Sequence, residues 1–165
     1  MLPVLFAALS SMAPEFPKDW IGDWRGTMEW SRPGVKTEKV PMRLQIQSTD
    51  QKDNYTYRLS YGEGGKDERP YLLKLVDSKS GHWQIDERNG IVLDHYWIDG
   101  SLVGVFTVGG NTIVTTERRE GNALVTEMIT YEATPLATSG GKSGVPTVTT
   151  NRVKSIQRAR LVRDR

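Results

Sequence analysis

Cysteine is absent from the 165 residues. That excludes disulfides, thiolate metal sites, a cysteine nucleophile and a lipidated N-terminal cysteine. Histidine is scarce: His82 and His95 are the two in the chain. Standing alone in mid-chain, without a patterned carboxylate beside them, they do not make a zinc or iron triad. An excess of one charge is also missing. With 22 basic and 20 acidic residues the formal net charge is +2, so bulk charge points to neither nucleic acid nor an anionic membrane surface. No apolar run approaches the ~20 residues of a spanning helix. Gly62-Glu63-Gly64-Gly65 precedes no helical pattern and so is not a phosphate loop, and no serine or lysine nucleophile motif occurs. Nothing in the sequence calls for a cofactor.

What the chain does have is period-two alternation. Trp20, Gly22, Trp24, Gly26, Met28 and Trp30 fall on one face of a first strand. Val40, Met42, Leu44 and Ile46 alternate with polar neighbours, as do Tyr55, Tyr57, Leu59 and Tyr61. Each pattern reads as a strand with one buried face. Further strands are predicted at 70–77, 82–86, 91–98, 101–108, 112–120, 123–133 and 153–162. Asn89-Gly90, Asp99-Gly100, Gly109-Gly110 and Gly121-Asn122 between them are hairpin signals. Consecutive strands then pair as a meander. Closing it removes the exposed edges, so the predicted fold is all-β: one up-and-down antiparallel barrel of about eight to ten strands. Residues 134–151, rich in Gly, Ser, Thr and Pro, read as one long flexible loop before the last strand. The basic residues near the C-terminus alternate with Val153, Ile156, Ala159 and Leu161, which makes them the solvated side of that strand.

Residues 1–13 are almost wholly apolar or small and end Ser11-Met12-Ala13. They read as the apolar region of a secretory signal, which implies an extracytoplasmic protein; an N-terminal plug on the barrel is the alternative.

Gly22-Asp23-Trp24, opening such a meander, resembles the first-strand signature of lipocalins and their calycin relatives. The resemblance implies a barrel closed at one end by Trp24, with a basic residue of the last strand, Arg158 or Arg160, across its ring. It also implies an interior that holds a small apolar or amphipathic molecule.

The residues themselves suggest who would meet such a ligand. Trp30, Tyr57, Trp83, Trp97, Phe106 and Tyr131 can line a cavity, or fill a ligand-free interior. His95 shares a face with Leu93 and Trp97; it is either a polar group in the cavity or a hydrogen-bonded core histidine. Glu117, Arg118 and Arg119 alternate faces, and an inward Arg118 would anchor a ligand anion. The candidate ligand-binding set is Trp30, Tyr57, His95, Trp97, Phe106, Arg118 and Tyr131. Binding predicts a cavity of roughly 300 Å³ or more. Two other readings stay open: an isomerase- or lyase-type enzyme using His95, and a cell-envelope interaction module presenting an exposed aromatic patch.

Overall fold

The computed structural model describes residues 15–164, so the predicted signal segment lies outside the described residues. A single 3-10 turn, Lys18–Trp20, leads into β1 (Gly22–Arg32), β2 (Val35–Ser48) and β3 (Asn54–Tyr61). A second 3-10 turn, Glu63–Gly65, precedes β4 (Asp67–Asp77), β5 (His82–Asp86), β6 (Val92–Ile98), β7 (Ser101–Val108), β8 (Asn111–Glu120) and β9 (Ala123–Glu132). Two short strands, β10 (Ala137–Ser139) and β11 (Val148–Thr150), come before β12 (Val153–Arg163). No helix among the described residues is long and apolar enough to cross a membrane.

Ten strands close into one antiparallel barrel, in the order β1-β12-β9-β8-β7-β6-β5-β4-β3-β2. Closure occurs where β1 meets β12, in register from Trp24 opposite Arg163 to Ser31 opposite Ile156. This is the predicted up-and-down barrel. The two-residue turns Asp99-Gly100 and Gly109-Gly110 have φ of 43° and 76°, and of 55° and 76°. Positive φ at both central residues matches the right-handed twist of the flanking strands, which is why these pairs close hairpins.

Two connections carry more strand pairing than the sequence reading. Past the alternating runs that end at Trp30 and begin at Val40, β1 and β2 continue as a paired ribbon to Arg32 and Val35, turning at Pro33-Gly34. Residues 134–151 are not one irregular loop. β10 and β11 pair, Ala137 opposite Thr150 through Ser139 opposite Val148, as an exposed two-stranded ribbon. Asn151 ties its base to the barrel by donating to the Glu132 carbonyl at 2.9 Å. The β-branched Thr147, Val148, Thr149 and Thr150 suit a strand as well as a loop.

The inward faces stack in layers along the barrel. The lowest holds Trp20, Trp24, Ile46, Leu102 and Leu161, all fully buried, with Leu124 and Trp83 nearly so. Tyr57, Leu73 and His95 follow at the waist, and half-buried Tyr61, Tyr71, Leu93 and Phe106 lie above them.

Candidate functional site

The lower end is closed by aromatic packing. Phe16 stacks on Trp97 with centroids 4.3 Å apart and meets Trp20 and Trp83 edge-on, each at 4.9 Å. Trp24 donates its indole N–H to the Trp20 carbonyl at 2.8 Å. The Arg163 guanidinium lies 4.5 Å from the centre of the Trp24 ring, and Arg119 lies 5.9 Å away. Both arginines donate to the Asp19 carbonyl, at 2.7 and 3.0 Å. They pin the 3-10 turn across the barrel end. The basic residue over Trp24 is therefore Arg163, not Arg158 or Arg160, because strand register places Arg163 directly opposite Trp24. Arg158 and Arg160 point outward to Glu127 and Glu120.

Above this plug, Tyr57 and Glu117 meet across the lumen. Their strands, β3 and β8, stand diametrically opposite in the ring of ten. The Tyr57 hydroxyl donates to Glu117 at 2.6 Å from Oε1 and also lies against Oε2. Among the described residues the carboxylate has no other hydrogen-bond donor. Removal from water raises the Glu117 pKa to about 7, although the phenol partner pulls it down. Burial, and then the carboxylate beside it, push the Tyr57 hydroxyl well above its ordinary value.

His95 completes the waist. Its Nδ1 lies 3.1 Å from the Leu93 carbonyl, and its Nε2 lies 3.3 Å from the Thr115 hydroxyl. The carbonyl requires a proton on Nδ1, so the neutral ring accepts from Thr115 through Nε2. Burial lowers the His95 pKa, which keeps that neutral form. The contact spans β7, where Gly104 is paired with His95. A Cβ on Gly104 would stand 2.6 Å from ring Cδ2 and 2.8 Å from Cε1. The absent side chain is the slot that holds the imidazole flat.

Between these groups and the upper rim lies a cavity of about 200 Å³. Leu59, Ile85, Leu93, Phe106, Ile113 and Met128 form its apolar wall, with Tyr57, His95, Thr115 and Glu117 as its floor. Tyr61, Arg69, Tyr71 and Glu87 stand at its wetter end. Arg69 sits 4.9 Å over the Tyr61 ring and is paired with Asp67 at 2.6 Å. Burial pushes the Tyr61 hydroxyl up to about 12. A side void of about 20 Å³ shares Tyr61 and Met128, room for a single water. The main cavity is smaller than the sequence reading called for, since the plug fills one end and the Tyr57–Glu117 bridge spans the middle.

Tyr57, His95 and Phe106 of the candidate set are brought together at this cavity. Four others are not. Trp97 faces inward, but one layer lower, stacked on Phe16. Arg118 is on the outer wall with Glu120 at 2.7 Å, because buried Thr115 sets the inward parity of β8 at Glu117 and Arg119. Tyr131 pairs with Thr112, whose hydroxyl meets Thr107 on the outer wall, so it too points outward. Trp30 is at the rim, its ring 4.4 Å beneath the Arg32 guanidinium, clear of the cavity. His82 is a surface residue bonded to Asp94 at 2.8 Å. Among the described residues no group of three or more His, Asp or Glu could hold a metal ion. Glu117 is the site residue that sequence reasoning passed over.

No family model and no curated protein sequence matches the chain. Solved structures do. A DUF3598-family protein from Nostoc punctiforme aligns over 89% of this chain with a TM-score of 0.64 and 12% identity. The chain spans 48%, about half, of that protein's length. The S-type phycobiliprotein lyase CPES from Guillardia theta aligns over 88% of both chains, with a TM-score of 0.56 and 12% identity. At that identity the likeness is one of fold alone, and the fold here is a closed antiparallel barrel of ten strands.

Proposed function

We propose that the barrel binds a ring-sized apolar or amphipathic molecule in the cavity above the Tyr57–Glu117 bridge. One observation carries this reading: an apolar-walled space of about 200 Å³ with polar groups converging at its floor. Small-molecule sites combine those two features. An apolar cavity of about 150 Å³ suffices to hold benzene, so this one admits a substituted ring rather than an extended chain. Native mass spectrometry of the protein purified from its own source tests the idea. A retained small molecule is expected, and Leu59→Trp, which fills the space, removes it. Equal retention by that variant, at unchanged fold, places the molecule elsewhere and refutes the reading.

A second reading, a proton-transfer enzyme of the isomerase or lyase type, has support in one group. Glu117 titrates near 7 beside the cavity, the range in which a side chain serves as general acid or base. The structural neighbour titled a phycobiliprotein lyase keeps this reading in view. His95 is the weaker candidate, because both ring nitrogens are already engaged. Turnover of any substrate surviving Glu117→Gln but not His95→Ala would reverse that ranking. The interaction-module reading called for an exposed aromatic patch. The outer row of paired residues Val105, Val114, Ile129 and Ile156 is aliphatic instead. An extracytoplasmic location remains part of this proposal, on the apolar N-terminal residues alone.

A further inference from the structure

The cavity's polarity has a sign. Its deep carboxyl is that of Glu117, whose hydrogen-bond donor among the described residues is a single phenol. A carboxylate has about four acceptor positions, and Tyr57 has one proton to give. The remaining acceptor capacity is unmet inside an apolar wall, where an ionised carboxylate without a cation is costly.

The surrounding groups do not supply that cation. His95 is neutral, its Nδ1 proton spent on the Leu93 carbonyl. Arg69, at the wet end, is already paired with Asp67. Glu87 adds a second carboxylate to the lining. The site therefore disfavours an anionic guest and is short of a positive donor. Tyr61, Tyr71 and Phe106 contribute aromatic wall, which attracts cations as well as apolar rings.

We propose that the molecule this cavity takes is a small arylalkylamine, its ring against the apolar wall and its ammonium on the Glu117 carboxylate opposite Tyr57. This rests on the cavity-binding reading above and adds the charge of the ligand. The titratable and charged groups that line the cavity with Glu117 are Tyr57 and Tyr61 of β3, Arg69 and Tyr71 of β4, Glu87 just beyond β5 and His95 of β6. Glu117, raised to about 7, changes charge between pH 6 and 8. An alkylammonium keeps its proton over the same range.

The experiment is calorimetric titration of the full chain with benzylamine and with benzyl alcohol, its neutral counterpart of the same shape. At pH 8 benzylamine should bind about tenfold tighter or more, the worth of one charge-assisted hydrogen bond. The preference should fade toward pH 6 and vanish in Glu117→Gln. Tyr57→Phe keeps the carboxylate but removes the group that lowers its pKa. The amine preference should survive there, with its midpoint moved to higher pH. This arm, and the wild-type pH series, hold even if Glu117→Gln fails to fold. If benzyl alcohol binds as tightly as benzylamine, or the preference persists in Glu117→Gln, the amine assignment falls and cavity binding stands. If neither compound binds, and Leu59→Trp changes nothing, both readings fall together.

Discussion

At the lower end of the barrel, Phe16, Trp20, Trp83 and Trp97 pack ring against ring, and Trp24 is fully buried beneath Arg163 and Arg119. From the waist upward, Tyr57, Tyr61, Tyr71 and Phe106 surround open space. Both regions are aromatic-rich and both face the lumen. They differ in what their polar atoms do. At the plug, the Trp24 indole N–H and both arginines are satisfied by backbone carbonyls of residues 19–20. At the waist, Glu117 keeps acceptor capacity that no other described residue fills. The plug has one unmet group of its own, the Trp20 indole N–H, but among the described residues it is packed against Phe16 and Trp97 with no space beside it. The unmet Glu117 acceptors border a cavity, and it is an open polar group beside space that suits a guest.

The sharpest way to break that contrast is to empty the plug. Trp24→Ala removes a fully buried indole there and leaves the Trp20 carbonyl without its donor. Large aromatic-to-alanine changes in a core cost about 3–5 kcal/mol. Urea unfolding followed by circular dichroism should show a midpoint drop of that size. A loss under ~1 kcal/mol would mean the plug is dispensable, and the comparison would fail.

Alternation made the barrel legible because the face of β1 carrying Trp24 and Met28 is unambiguous. Parity on β8 was not. Ile113 and Val114 are both apolar, and Glu117-Arg118-Arg119 is charged throughout, so neither face announces itself as inner. The alternation therefore allows an inward Arg118, whereas the structure turns Glu117 inward. β9 poses the same problem: Leu124 and Met128 compete with Val125 and Ile129, so alternation alone does not decide which way Tyr131 faces, and the register turns it outward. The Tyr57–Glu117 bridge joins residues 60 positions apart. No local pattern encodes it; it exists because a ring of ten strands sets β3 opposite β8. Gly104 was likewise silent until His95 was seen lying against it.

The waist should reveal itself through pH. Glu117 has a folded pKa of about 7 against an ordinary 4.5. A raised acid favours the folded state while protonated, so its contribution is complete below pH 4.5 and lost as pH rises through 7. The size is on the order of 3 kcal/mol by linkage. His95, with a lowered pKa, acts oppositely: its contribution is present above its ordinary value of 6.5 and lost as pH falls through the folded value. Urea midpoints of wild type and Glu117→Gln between pH 4.5 and 8 separate the two. The wild type should lose stability toward pH 8 relative to the variant. Parallel curves would show that Glu117 is not desolvated as its surroundings imply.

Gly104 tests the waist sterically. Gly104→Ala drives a methyl into the imidazole, and overpacking of this kind costs about 1–3 kcal/mol. His95→Ala removes the obstacle. In the double variant the alanine at 104 should be tolerated, so a double-mutant cycle by urea unfolding should give a coupling of about 1 kcal/mol or more. Additive losses would mean that the ring can move aside and that the slot does not hold it.

The smallest expected effect separates the two ends most cleanly. Arg163→Met keeps aliphatic cover over Trp24 but removes the cation over its ring and the donor to the Asp19 carbonyl. Arg119 still reaches that carbonyl at 3.0 Å, so the turn remains held from one side. An exposed cation–π contact is worth about 0.5–1 kcal/mol, and a loss of that order should appear in the urea midpoint. Benzylamine affinity should not move, because Arg163 lies at the plug and contributes nothing to the cavity wall. A variant that weakened binding at full stability would show that the layers communicate through the Trp24–Trp20 contact, and that the plug is part of the site rather than its foundation.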